Sequence, residues 1–187
     1  MELYFVTGNT HKFREAKKII GELDGRIELK MADCKGEELR SESCEEVAKH
    51  AAKEAFRKLQ KPLFVEDAGL FIPYLKGFPG AFSAYVFQRI GNSGLLKLLM
   101  GAKKSQRKAY FESVAALADG KKGIKTFRGI TNGNITRASM GKAGFGFDPI
   151  FKPEGENFTF AQKQNEKNKM SHRRKSLEKM VAYLKKM

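Results

Sequence analysis

Thr7, Gly8, Asn9, Thr10, His11 and Lys12 put two hydroxyls, a glycine and an ammonium at the point where an apolar run gives way to a helical pattern. Such a turn aims backbone N–H groups and the positive end of a helix dipole at one spot, which is the chemistry of phosphate binding. The stretch has neither GxxxxGK[ST] nor GxGxxG spacing, so it reads also as an ordinary capped helix start. Glu66 and Asp67 close a second apolar run, and strand alternation sends them to opposite faces. One carboxylate can then face a ligand as general base or metal ligand while its neighbour makes internal contacts; a solvated strand end is the plainer alternative. Glu37 and Glu38, in an acidic loop, offer further oxygen ligands, and Mg²⁺ on a nucleotide takes only one or two protein carboxylates. Phe145 and Phe147 flank Gly146, with Asp148 before a proline, a pattern that suits a purine platform or a packed core. Ser171, His172 and Arg173 open the last helical pattern, where a basic pair opposes the helix dipole unless an acceptor or anion offsets it. A Ser/His/Asp nucleophilic set lacks the G-x-S-x-G elbow here.

These groups need positioning elements, and the periodicity supplies them. Residues 3–6 read as a buried strand, followed by a helix whose apolar stripe runs Phe13, Ala16, Ile20 and Leu23. A strand over 27–31 precedes the acidic loop. Ser43 and Glu46 have capping-box spacing, and Val47, Ala51, Ala55 and Leu59 share one helical face up to Pro62. Residues 63–67 form a strand. The stretch 68–94 is rich in glycine and reads as loops in which Phe71, Phe78, Phe82 and Phe87 are partly buried, with a short helix over 95–100. Strands at 109–118 and 124–135 predict a hairpin, and Leu177, Met180, Val181 and Leu184 an amphipathic closing helix. The expected fold is α/β, one domain over 1–187 with a mixed sheet flanked by helices, arranged as two lobes about a cleft.

Composition bounds the function. The chain has 187 residues, 41% of them hydrophobic with 15 Phe, enough for a substantial core. Cys34 and Cys44 have no metal-ligand spacing, no apolar run approaches membrane-spanning length, and the first residues lack a signal-peptide pattern, so a cytoplasmic protein with no membrane partner is expected. A formal charge of +15 attracts nucleoside triphosphates or nucleic acid. The first points to an enzyme and the second to a binding module. The acidic pair and the glycine-rich loops have no role in a nucleic-acid module, so nucleic acid is not the expected partner.

In order along the chain, "FVTGNTHKFREAKKI", "VEDAGL", "GFPGAFSAY", "GFGFDPIF", "TFAQ" and "EKNKMSHR" resemble the inosine/xanthosine triphosphate pyrophosphatase family. The resemblance implies an elongated mixed sheet with helices around a central active-site cleft, a homodimer, and Mg²⁺-dependent hydrolysis of ITP, dITP and XTP to monophosphate and pyrophosphate. It gives Thr7, Gly8, Asn9, Thr10, His11 and Lys12 to the triphosphate, Asp67 to general-base catalysis and to metal binding, and Glu38 to the metal. It assigns Phe145, Gly146, Phe147 and Asp148 to the base, Lys167 to a phosphate or base contact, and His172 and Arg173 to purine recognition. Four features depart from the family pattern. Glu37-Glu38 stands where the family has Pro-Glu before the metal loop, Ala68 where Ser or Thr is common, and Ala84 where some relatives have Lys, while the helix lysine expected in the substrate site does not fall in register, Lys53 being the nearest candidate.

Overall fold

The computed structural model describes residues 1–34, 36, 39–120 and 123–186, so Glu37 and Glu38 lie outside the described residues. Strands β1 (Glu2–Val6), β2 (Glu28–Ala32), β3 (Leu63–Phe71), β4 (Pro79–Gly80), β5 (Lys108–Ala118), β6 (Ile124–Ile135) and β7 (Phe151–Pro153) form one mixed sheet. Its order is β2-β1-β3-β5-β6-β7, with β4 added beside β3. Helices α1 (Thr10–Leu23), α2 (Cys44–Leu59), α3 (Ser83–Leu98), α4 (Gln164–Met170) and α5 (His172–Leu184) complete the α/β fold that the sequence predicts. β1 runs parallel to β2 and β3, the arrangement that helical crossovers produce, whereas β4 and β7 run antiparallel to β3 and β6. The two strands expected as a hairpin, β5 and β6, are neighbours in the sheet. No described helix is long and apolar enough to cross a membrane.

The chain divides into two compact units, one of Met1–Asp67, Ser113–Gly129 and His172–Met187, the other of Ala68–Glu112 and Ile130–Ser171. The core of the first gathers Leu3 and Phe5 of β1, Ala16, Ile19 and Ile20 of α1, Phe64 of β3, Leu117 of β5 and Leu177, Met180 and Val181 of α5. The rings of Phe5 and Phe64 stack at 4.4 Å between neighbouring strands. The apolar face expected for α5 is the one that is buried. In α2 the face is rotated: Cys44, Ala48, Ala52 and Ala55 are buried, while Val47, Ala51 and Leu59 are only half-buried. Small side chains form the fully buried face, and the bulkier Val47 and Leu59 flank it.

The second unit is built on aromatic contacts, with Phe151 at 4.7 Å from Phe111 and 5.1 Å from Phe160. Here the structure corrects the expectation of loops over 68–94. β3 continues to Phe71, and α3 begins at Ser83 and reaches Leu98 with a break at Gly91, where φ is 59° and ψ −165°. Glycine takes that conformation without penalty, so one helical path contains a bend that its sequence presents as a loop. Phe78 and Phe82 are exposed, against the expected partial burial, whereas Phe71 and Phe87 are half-buried as expected. Gly69 is required by close approach: a Cβ there would sit 2.3 Å from the Gly80 carbonyl oxygen. The adjoining Leu70 N–H donates to the Ser83 hydroxyl (2.8 Å), which donates to the Gly80 carbonyl (2.7 Å).

Candidate active site

In the first unit, the turn between β1 and α1 is closed by its own side chains. Thr7 Oγ1 accepts from the Asn9 N–H (3.1 Å), and Asn9 Oδ1 accepts from the N–H groups of His11 (3.0 Å) and Lys12 (3.1 Å). Asn9 is therefore the N-cap of α1, and the turn amides that the sequence offers to an anion include two that it already satisfies. Gly8, Asn9, Thr10 and His11 are exposed, and Thr7 is half-buried.

Lys12 projects toward β3. Its ammonium donates to the Glu66 carbonyl at 3.1 Å and pairs with Glu66 Oε2 at 3.0 Å. Glu66 is a hub. Its Oε1 accepts from the Ser113 hydroxyl of β5 (2.6 Å) and lies 3.2 Å from Arg173 Nη2, while Arg173 Nη1 donates to Glu15 of α1. Ser113 Oγ is 2.9 Å from Ser176 Oγ, and Ser176 Oγ also donates to the Arg173 carbonyl (3.0 Å). Burial by itself pushes the Glu66 carboxyl up, but the charges of Arg173 and Lys12, the Ser113 hydroxyl and His172 outweigh it. The carboxyl is held well below its ordinary 4.5. Arg173 is 1% exposed, and although burial disfavours its charge, Glu66 and Glu15 outweigh that and hold the guanidinium protonated. These two carboxylates are what offset the basic first turn of α5.

The next residue on β3, Asp67, is half-buried, as is Ala68 after it. The alternation expected for "VED" thus holds, since Glu66 is buried among internal partners and Asp67 keeps some exposure. Lys53 is exposed on α2. Buried His172 and Arg173 head α5, and the head of that helix sits so close to β6 that a Cβ on Gly129 would be 2.1 Å from the His172 carbonyl oxygen.

In the second unit, Asp148 Oδ2 accepts from the Phe145 N–H (2.9 Å) and from Lys167 Nζ (2.7 Å). Both charged side chains are buried, and Lys167 Nζ also lies 4.7 Å from the centroid of the Phe145 ring. Phe145 and Gly146 are half-buried, but Phe147 is 3% exposed, in a core cluster and edge-on to Phe87 at 5.4 Å. Of the two rings, Phe145 is the more exposed. The loop thus combines a ring, a carboxylate and an ammonium.

A divalent cation would find hard oxygen ligands at Asp67 but not at Glu66, whose oxygens already serve Lys12, Arg173 and Ser113. Among the described residues no group of three or more His, Cys, Asp or Glu could hold a metal by itself. The sequence did not single out Glu15, Ser113 or Ser176. Each is a common residue on a regular element, and its role comes from partners 47 to 158 positions away.

The chain is similar to known proteins along nearly its whole length. A dITP/XTP pyrophosphatase of Methanopyrus kandleri is 46% identical over 99% of this chain and 97% of its own, and one of Thermococcus kodakarensis is 44% identical over 99% and 98%. The structure of a HAM1 protein from Coxiella burnetii superposes with a TM-score of 0.85 and 28% identity over the full length of both chains. The sequence model of the Ham1 family matches residues 3–183, and the chain belongs to the Ham1 family.

Proposed function

We propose that this chain hydrolyses non-standard purine nucleoside triphosphates, dITP, ITP and XTP, to the monophosphate and pyrophosphate, and so clears them from the nucleotide pool. The observation that carries the reading is the 46% and 44% identity, over 99% of the chain, to relatives named dITP/XTP pyrophosphatase. Cytoplasmic location and a homodimer belong to the same proposal.

Asp67 accepts a proton from the water that attacks the α-phosphorus. The new P–O bond forms as the bond to the bridging oxygen breaks, and pyrophosphate leaves with that electron pair. Mg²⁺ bound by Asp67 and Glu38 would supply positive charge to the phosphate oxygens. Thr7, Gly8, Thr10 and His11 line the triphosphate, and Asn9 fixes their turn. Lys12 has three N–H donors; two face Glu66, and the third serves a phosphate oxygen. Phe145 stacks on the base, while Gly146, Asp148 and Lys167 set its edge contacts and Phe147 anchors the segment in the core rather than touching the base. His172 and Arg173 supply donors for a six-keto oxygen, and Ala68 and Lys53 lie at the margin of the substrate. Adenine would bring an amino donor to those donors and leave them unpaired, which is how a polar pocket rejects an analogue by large factors.

The test is turnover with Mg²⁺ across a nucleotide panel, with products identified. Pyrophosphate from dITP, ITP and XTP, much slower turnover of ATP and GTP, and a fall of roughly 10²–10⁴-fold in kcat for Asp67→Asn are expected. Equal rates on all the nucleotides would refute the specificity, and release of inorganic phosphate in place of pyrophosphate would refute the chemistry.

A further inference from the structure

The loop around Gly146 is held at its two ends by its own atoms: the Phe145 N–H donates to Asp148 Oδ2, and the Asp148 N–H donates to the Phe145 carbonyl at 3.3 Å. Its middle is not. Gly146 has φ +62°, and nothing lies within 4 Å of where its Cβ would be. What reaches that middle comes from α3. Asn92 Nδ2 donates to the Gly146 carbonyl at 3.2 Å, and Phe87 sets its ring edge-on against Phe147 at 5.4 Å. Asn92 follows directly on Gly91, whose left-handed φ of 59° breaks the helix. A straight helix would carry residue 92 in a different direction, so the break and the hydrogen bond belong together.

The orientation of this amide is fixed chemically, because a backbone carbonyl only accepts and the group facing it must be the NH₂. That leaves Asn92 Oδ1 as a buried acceptor with no hydrogen-bond partner among the described residues. Buried acceptors carry a desolvation penalty unless a donor arrives, and a native structure that keeps one invites an explanation. Here the acceptor is on the residue that holds the segment assigned above to the base.

We propose that Asn92 is a positioning and specificity residue of the base site: its NH₂ fixes the Gly146 peptide, and with it the Phe145 ring and the Asp148 carboxylate, while its Oδ1 accepts from an N–H donor on the edge of an oxopurine. The inference rests on the pyrophosphatase reading and deepens it. An acceptor there suits the protonated ring nitrogens of hypoxanthine and xanthine and disfavours adenine, whose N1 is itself an acceptor.

The experiment compares wild type, Asn92→Asp and Asn92→Ala for steady-state turnover of dITP and XTP, inhibition by tripolyphosphate, which has no base, and thermal unfolding. Asp keeps an acceptor but turns an oxygen toward the Gly146 carbonyl; Ala removes both functions. In both variants KM for dITP and XTP rises by roughly three- to tenfold, as loss of one or two neutral hydrogen bonds dictates, with kcat within about twofold. The inhibition constant of tripolyphosphate stays at the wild-type value. Unchanged KM in both variants overturns the inference, and so does a parallel shift of KM and the tripolyphosphate constant, because that is what a general loosening of the fold produces. A wild-type chain inert toward dITP and XTP overturns the proposed function and the inference with it, an outcome read in the wild-type arm alone.

Discussion

Glu66 in the first unit and Asp148 in the second are both buried carboxylates bonded to a buried cation, yet they are built differently. Glu66 gathers Lys12, Ser113 and Arg173, which lie 54, 47 and 107 positions away along the chain. Asp148 bonds the Phe145 amide three positions back and Lys167 nineteen positions on. The first is a clamp that ties β3, α1, β5 and α5 together and exists only in the folded unit. The second fastens a loop to itself and sets the shape of that loop. Damage to Glu66 should therefore be read mainly in stability, and damage around Asp148 mainly in the loop and in what it binds.

The largest effect is expected for Glu66→Gln. Removing one partner of a buried ion cluster leaves the other charges uncompensated, here Arg173 with Glu15 alone, at a cost of about 3 kcal/mol in unfolding free energy. Urea unfolding at neutral pH measures it. The pH dependence gives an independent reading. The folded Glu66 carboxyl titrates well below its ordinary 4.5, so the unfolded chain binds more protons between the two values. Its contribution is fully present above about pH 4.5 and is lost as pH falls toward the folded value. The stability gap between wild type and Glu66→Gln should narrow as pH drops below that point; a gap constant from neutral pH to about pH 3 would show that Glu66 is not the clamp.

That clamp also marks the limit of what the sequence could tell. A capped helix start within the Thr7 to Lys12 turn, Ser43 as the start of α2 and the Leu177, Met180 and Val181 face of α5 are local patterns, and each is found where its pattern puts it. Periodicity fails at α2 because its alanines are small enough to suit several faces, so the alternatives Ala51 and Ala52 do not differ in type, although the first is half-buried and the second fully buried. It fails at α3 because Gly91 and Gly94 are read as loop residues, although one of them only bends the helix. Asp67, Asp148 and Lys167 were singled out by type, order and resemblance. Nothing in the sequence shows that Arg173 and Lys167 are buried, since the carboxylates that permit it come from other elements. Glu38, assigned to the metal by resemblance, falls outside the described residues.

The loop side of the comparison is sharpened by two glycines. Gly144 has φ +77°, and a Cβ there would lie 2.2 Å from Asp148 Oδ2, whereas the Cβ position of Gly146 is open. Gly146→Ala meets only the left-handed backbone penalty, about 1 kcal/mol, while Gly144→Ala adds displacement of the carboxylate that holds both Phe145 and Lys167, for about 2 kcal/mol in all. Measured side by side, Gly144→Ala should show the larger rise in KM for dITP as well as the larger loss of stability. The reverse order would mean that Asp148 does not organise the loop.

The smallest stability effect belongs to the turn at the head of α1, and there two substitutions separate the cap from the ligand. Asn9→Ala removes the acceptor for the His11 and Lys12 amides, which costs about 1 kcal/mol. Asn9→Asp keeps that acceptor and adds a negative charge at the positive end of the helix, so stability is retained or rises by a few tenths of a kcal/mol. If the turn does nothing but start a helix, Asp is harmless at this position in every assay. If it faces a triphosphate, the carboxylate repels the substrate, and KM for dITP rises in a protein whose urea midpoint has not fallen. Unequal outcomes in the two assays are the expected result, because α1 and the Lys12 that it carries toward Glu66 stay in place while the local charge is reversed.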